Sequence, residues 1–190
     1  MTELNLPILL PLRTQRLVLR RFEAGDLDAF HAYHSLPETA RFLPREAKSY
    51  TQSMETVGRY ANFEFEKEGD WVALAIEAAD SPGLLGEVVL KWLPGRGQAE
   101  IGWSLAPEAR GKGIAAEAAS ALLKLGFEDL GFHRIDAKLD ALNTASAALC
   151  ERLGMRLEST QVDKWHYKGQ WATEVVYAML EGEWRDRQPG

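Results

Sequence analysis

The sequence predicts a mixed α/β domain, and three observations predict it. Residues 98–120, QAEIGWSLAPEARGKGIAAEAAS, pass from a period-two pattern through a glycine-bearing turn into an alanine-rich helical composition. Several other stretches alternate at period two, as half-buried strands do. Between them lie segments whose apolar residues recur at helical spacing. The chain has 190 residues, 46% of them hydrophobic, which bounds it to one domain with a sizeable core.

Residues 14–22, TQRLVLRRF, alternate and read as an opening strand. Asp26 is placed to cap a helix carrying Leu27, Phe30 and Tyr33. Pro37 and Pro44 bracket a loop. A long helix is expected from Ser49 to Glu66, with Met54, Val57, Ala61 and Phe65 inward. Trp71 to Glu77 and Leu84 to Trp92 read as two strands joined by the hairpin signal Asp80-Ser81-Pro82-Gly83.

Pro94-Gly95-Arg96-Gly97 turns the chain into a central strand with Ile101, Trp103 and Leu105 on one face and Glu100, Gly102 and Ser104 on the other. The following helix ends near Leu130-Gly131, and His133 to Leu139 is a strand. Asn143 and Ser146 open a helix through Leu153 that Gly154 stops. Met155 to Val162 and Gln170 to Leu180 read as a closing hairpin, with DKWHYKGQ as its connection and a frayed tail from Asp186 to Gly190.

Composition excludes several classes. The net charge is −6, and a nucleic-acid binder leans basic. A lone cysteine, Cys150, makes no intramolecular disulfide and builds no zinc site by itself, so no metal is expected. No apolar run approaches the ~18 residues of a membrane span. No basic segment followed by an apolar one opens the chain, so the expectation is a cytoplasmic protein.

The chemistry lies in Arg110-Gly111-Lys112-Gly113-Ile114-Ala115. The first amides of a helix lack partners within it, and the dipole there favours an anion. Two glycines let a phosphate reach the backbone, and Arg110 and Lys112 add positive charge. The nucleotide P-loop spacing is absent, and the dinucleotide fingerprint is met only in its loose form, with Ala116 for the third glycine. The better match is Arg/Gln-x-x-Gly-x-Gly/Ala, as Arg110, Gly113 and Ala115. A plain strand–turn–helix is the competing reading.

With that loop after an "IGW-L-P" strand, the chain resembles the GNAT family of acetyl-CoA-dependent N-acetyltransferases. "T-RL-LR-F---D" at the start, "RID-----N--S--L-E-LGM" from Arg134, and "KG-W-----YAML--EW" near the end are similar to its ribosomal-protein alanine and serine N-acetyltransferase branch. The resemblance spans residues 14–184. It implies the GNAT fold, a mixed and mostly antiparallel sheet of six or seven strands splayed at its centre, with about four helices. It implies acetyl-CoA as cosubstrate, an amine as acceptor, and a homodimer as an open expectation. Pantetheine would lie in the splay along the backbone of Trp103, Ser104 and Leu105, with Asn143 bonding pantetheine or diphosphate oxygens. The first helices would wall the acceptor site, making His31, Tyr33 and Phe42 candidates to touch it. The competing reading places Tyr33 and Phe42 in the core and His31 in solvent.

The implied reaction is direct attack of an amine on the thioester, with proximity carrying much of the rate and the Leu105 amide facing the oxyanion. Many relatives protonate the thiolate with a tyrosine four residues past the Ser146 position, where this chain has Cys150. Some place a glutamate base on the fifth strand, where it has Lys138. The ribosomal-protein branch implies Ser146 as the acid. Its base position falls near Trp165, so Asp163 and Glu100 are the substitutes. That branch also has an aspartate just after the tryptophan, and Ala172-Thr173-Glu174 departs from it. The acceptor expected is a protein or peptide N-terminal amine. The alternatives are a small amine (an amino acid, polyamine or aminoglycoside) and a non-catalytic acyl-CoA-binding domain.

Overall fold

The computed structural model describes residues 8–187. In chain order these form β1 (Leu12–Arg13), β2 (Leu17–Arg20), α1 (Leu27–His34), α2 (Pro37–Ala40), α3 (Tyr50–Ala61), β3 (Trp71–Ala78), β4 (Ser81–Trp92) and β5 (Gln98–Leu105). They continue as α4 (Ile114–Lys124), β6 (Arg134–Asp140), α5 (Thr144–Leu153), β7 (Arg156–Tyr167), β8 (Gln170–Leu180) and α6 (Glu181–Asp186). The strands make one sheet in the order β1-β2-β3-β4-β5-β6-β8-β7. Every neighbouring pair is antiparallel except β5 with β6.

The alternation of side chains gives the sheet two cores. Leu74, Ile76, Val88, Leu90, Ile101 and Ile135 face α4 and α5, where Ala118, Leu122, Leu149 and Leu153 meet them. On the other face α1 and α3 bring Phe30, Tyr33 and Val57 onto Ala73, Ala75 and Leu84. β3 is thus buried on both sides, with alanines under the aromatic rings.

The parallel pair is short. Gln98, Ala99 and Glu100 oppose Arg134, Ile135 and Asp136, and there the pairing stops. β5 continues along β4 to Leu105 opposite Gly86, while β6 continues along β8 to Asp140 opposite Glu174. The sheet opens as a wedge between them. Gly86 holds the far end of β5 close: its φ is +153°, and a Cβ there would lie 2.3 Å from the Ser104 carbonyl oxygen.

The eight strands and six helices of the described residues slightly exceed the count expected. β1, α2 and α6 account for much of the difference and are too short to show periodicity. Asp26 precedes α1 but makes no side-chain cap. Its carboxylate takes both Arg20 Nη atoms at 2.8 Å and the Glu23 amide at 2.8 Å. α3 starts where expected, because Ser49 and Gln52 cap it reciprocally, but it ends at Ala61 rather than Glu66. Its inward face is Ser53, Thr56 and Val57, and Met54, one step round the helix, is exposed. The DKWHYKGQ connection is strand through Tyr167. Only Lys168 and Gly169 turn, both at positive φ, as a two-residue hairpin requires. In the tail, Asp186 ends α6, and residues 188–190 lie outside the described residues.

Candidate active site

The glycine loop sits where β5 hands over to α4. Gly113 is the N-cap residue at φ +78°, a left-handed conformation that favours glycine. Having no side chain, it leaves the first turn of α4 uncapped, and the first amide with a backbone acceptor is that of Glu117, bonded to the Gly113 carbonyl at 3.1 Å. The amides ahead of it meet the loop, as an anion requires. Gly111, at φ +73°, has open space where a Cβ would stand. Ile114 is buried and anchors the helix, and Ala115 packs against the same core. Lys112 is exposed at the rim.

Two arginines frame this loop differently from the sequence reading. Arg110 turns away from it: Nε donates to the Leu105 carbonyl at 3.1 Å, Nη1 to Glu38 at 2.9 Å and Nη2 to the Thr39 hydroxyl at 3.1 Å. It ties the end of β5 to α2. Arg16 takes the place at the loop, donating to the Lys112 carbonyl at 3.1 Å, with Nη2 3.3 Å from where a Gly113 Cβ would be. Glu117 holds Arg16 through Nε at 2.7 Å. Burial would raise the Glu117 carboxyl, but the Thr14 hydroxyl and the Arg16 amide and guanidinium outweigh it and hold it below its ordinary value.

The wedge offers a strand edge. The Ala106 amide bonds the Leu85 carbonyl at 3.0 Å, and antiparallel bonding alternates, so residues 104 and 102 use their backbone groups on β4. Those of Trp103 and Leu105, beyond the last pair with β6, point into the wedge. There the Leu105 carbonyl is engaged by Arg110. Trp103 reaches across and donates its indole N–H to Ser146 Oγ at 3.3 Å. Asn143 caps α5, accepting the Ser146 amide at 3.2 Å. Strand edge, indole, serine and cap thus line one opening.

Cys150, one turn beyond Ser146, is fully buried. Burial, then the Glu151 charge, pushes its thiol up to about 12, a poor match for donating to a thiolate of ordinary pKa ~8.5. Glu100 is paired with Lys138 at 2.6 Å. Burial alone would lower the Lys138 ammonium, but the Glu100 bond and charge raise it. Asp163 sits at φ +50° in a bulge of β7, where its backbone amide donates to the Thr173 hydroxyl at 3.4 Å. It is exposed.

One cluster escaped the sequence reading. Glu87 of β4 is 4% exposed. It accepts from the Tyr33 hydroxyl and from His34 Nε2 at 2.8 Å. Arg45 Nη2 lies 2.9 Å from His34 Nδ1. A guanidinium only donates, so Nδ1 accepts and the Nε2 hydrogen goes to Glu87. Burial, then the Glu87 charge, lifts the Tyr33 hydroxyl well above the tyrosine range and keeps it a donor. Glu87 lies opposite Ser104, next to the strand whose other edge lines the wedge. A lone acid inside the apolar run LLGEVVL was the available signal. Of the three suggested acceptor contacts, Tyr33 is core, while His31 is half-buried 3.0 Å from Ser53 Oγ and Phe42 is half-buried beside Arg41.

Among the described residues no group of three or more His, Cys, Asp or Glu could hold a metal, and no helix is long and apolar enough to cross a membrane. Residues 16–156 match the acetyltransferase (GNAT) domain family. An uncharacterized N-acetyltransferase of Bacillus subtilis, YnaD, is 32% identical over 90% of this chain and 97% of its own length. The crystal structure of a GNAT-family acetyltransferase from Bacillus anthracis superposes with a TM-score of 0.83 at 29% identity, covering 92% of this chain and all of that one. Spermidine N-acetyltransferase from Vibrio cholerae, solved with CoA and spermine, shares the fold at 23% identity, with a TM-score of 0.76 over 90% of this chain and 99% of that one. The uncapped glycine loop and the opened strand edge belong to a fold shared with these enzymes, and the chain is a member of the GNAT acetyltransferase family.

Proposed function

We propose that this acetyl-CoA-dependent N-acetyltransferase acts on a protein or peptide N-terminal amine, by direct attack within a ternary complex. The observation that carries the reading is the opening between β5 and β6, where Trp103 N–H meets Ser146 Oγ. With its oxygen accepting from the indole, Ser146 keeps its own hydrogen to give to the departing thiolate. Pantetheine would take the free backbone groups of Trp103, its diphosphate the α4 amides, and the amide of Leu105, whose carbonyl is held by Arg110, would face the developing oxyanion.

The acids near the wedge support a weakly basic acceptor. Glu100 is held by Lys138, and Glu87 has both oxygens occupied. Neither stands free to take a proton from a strongly basic amine. An α-amino group, with pKa ~7.7–8.0 against ~10.4 for lysine, supplies far more neutral amine unaided. The motifs similar to the ribosomal-protein branch point the same way. A polyamine, the substrate class named for the Vibrio cholerae enzyme, is the alternative. It fits less well, because Asp140 and Glu174 in this region are already engaged by Tyr167 and Lys164.

The test is a competition for acetyl-CoA among an Ala-initiated peptide with blocked lysines, an N-blocked peptide with free lysine, and spermidine. The N-terminal peptide is expected to react fastest near neutral pH. Faster transfer to lysine or spermidine would overturn the acceptor assignment and leave the transferase intact.

A further inference from the structure

A cavity of about 200 Å³ lies between α3 and the segment leading into it. Arg45, Lys48 and Arg59 line it, with Gln52 and Thr56 beside them. Elsewhere the half-buried cations Arg20, Arg134, Lys138 and Lys164 sit against carboxylates. Among the described residues, these three have no carboxylate within ion-pair range. Lys48 Nζ donates to Thr56 Oγ1 at 3.0 Å, and that hydroxyl donates onward to the Gln52 carbonyl at 2.7 Å. Arg45 donates to the Glu46 carbonyl at 3.1 Å and to His34.

Burial lowers the pKa of both Arg45 and Lys48, and the charges of Arg45 and Arg59 lower Lys48 further. Three cations therefore converge and repel one another in an acidic protein. Glu87, the buried acid that pulls on Arg45 and Lys48, spends its oxygens on Tyr33 and His34. Glu46 and Glu55, also at the cavity, are exposed to solvent, and the pull of Glu55 on Lys48 is weaker than that of Glu87. Clustered donors of one sign around a concavity are stabilised by an anion that takes their hydrogen bonds. The volume is below the ~300–1,000 Å³ of a drug-sized pocket, so it suits a small group.

We propose that this cavity binds a small oxyanion, a carboxylate or phosphate, held by Lys48 and Arg59 with Arg45 behind them. The site is independent of the acceptor assignment and shares no residue with the glycine loop.

Titration of the labelled full chain with inorganic phosphate, and separately with succinate, at low ionic strength tests it. Saturable amide shifts are expected at Gln52, Thr56 and Arg59, with affinity weakened about tenfold or more in Lys48→Gln/Arg59→Gln, as loss of charge-assisted bonds requires. Arg59→Gln alone, at an exposed position, keeps the test alive should the double variant not fold, with a smaller loss expected. Absence of saturable shifts with both probes at millimolar concentration, or wild-type affinity in Arg59→Gln together with the folded double variant, overturns the site.

A kinetic arm separates the two sources of such a group. KM for a carboxylate-bearing amine acceptor is compared with KM for its amide, in wild type and Arg59→Gln. If the wild-type preference disappears in the variant, the oxyanion belongs to the acceptor. An equal ratio in both proteins, with phosphate binding intact in wild type, identifies a free ion.

Discussion

Two regions of the protein are built by different means. The cofactor side is backbone: an uncapped helix start, two glycines at positive φ and the free edge of β5. The face of the sheet under α1 and α3, where the resemblance would place the acceptor, is instead built from side chains gathered from distant elements, with Tyr33 and His34 on α1 and Glu87 on β4. Backbone recognition constrains what can bind, because Gly111 and Gly113 leave the loop backbone bare. Side-chain recognition can be rebuilt by substitution while the sheet stays the same. On the proposed reading, that difference would let one fold keep its acyl donor and change its acceptor.

The sharpest way to break this comparison is at Ser146, the side chain proposed to protonate the departing thiolate. Ser146→Ala should lower kcat by about 10²- to 10⁴-fold, the range of general acid catalysis, with acetyl-CoA affinity little changed. Cys150→Ala should leave kcat near wild type, because the thiol is buried and held protonated. Steady-state kinetics on both variants decide it, and the reverse pattern assigns the acid to the thiol.

Gly113→Asp tests the backbone claim. A like charge at the phosphate costs several kcal/mol, so affinity should fall by at least roughly 100-fold, while the left-handed strain of about 1–2 kcal/mol falls on folding stability. Calorimetry with acetyl-CoA reads this directly. Unchanged binding in a folded variant would sink the cradle.

On the face under α1 and α3, Glu87→Gln should cost about 1–3 kcal/mol of stability, the penalty of unmatched buried polar groups. Tyr33 and His34 donate to different carboxylate oxygens, and in the variant one of those positions becomes an amide nitrogen, which does not accept. Denaturant melting measures the loss, and acetyl-CoA affinity should not move. A fall in affinity equal to that of Gly113→Asp would erase the distinction between the two sides.

The smallest effects concern two acids shifted in opposite directions. Burial would raise Asp26, but Arg20 and the Glu23 amide outweigh it and lower its pKa below 3.8. Its stabilisation is present above the unfolded value and is lost as pH falls through the folded one. Asp136, beside Arg134 at 2.7 Å, is raised above 3.8 because burial outweighs that partner. Its contribution is complete below the unfolded value and declines as pH rises through the folded one. Asp26→Asn should therefore flatten stability on the acid side, and Asp136→Asn should remove a loss on raising pH. Melting curves across acid pH that show the same sign for both would refute the assignment.

What the sequence disclosed follows the same division. The glycine loop, the β5 alternation and the Asn143–Ser146 helix start were legible because each is set by neighbours within a few residues. The Glu87 cluster was not, since its members lie up to 54 residues apart and join only through the packing of α1 on β4. The direction of Arg110 was not legible either, because charge alone does not say which way a long side chain turns, and Glu38 and Thr39 draw it toward α2. In the DKWHYKGQ stretch, pairing with β8 overrode polar composition and carried the strand to Tyr167.

The sheet ends in two unlike edges. β1 has two residues, whereas β7 has twelve and exposes Leu157, Val162 and Trp165. A long outer strand is a template onto which another chain can add, the first step of aggregation. The bulge between Gln161 and Trp165, with Asp163 at positive φ, interrupts that template midway and leaves a charge at the break. An irregularity in the outermost strand thus shortens the regular edge that a second chain could extend.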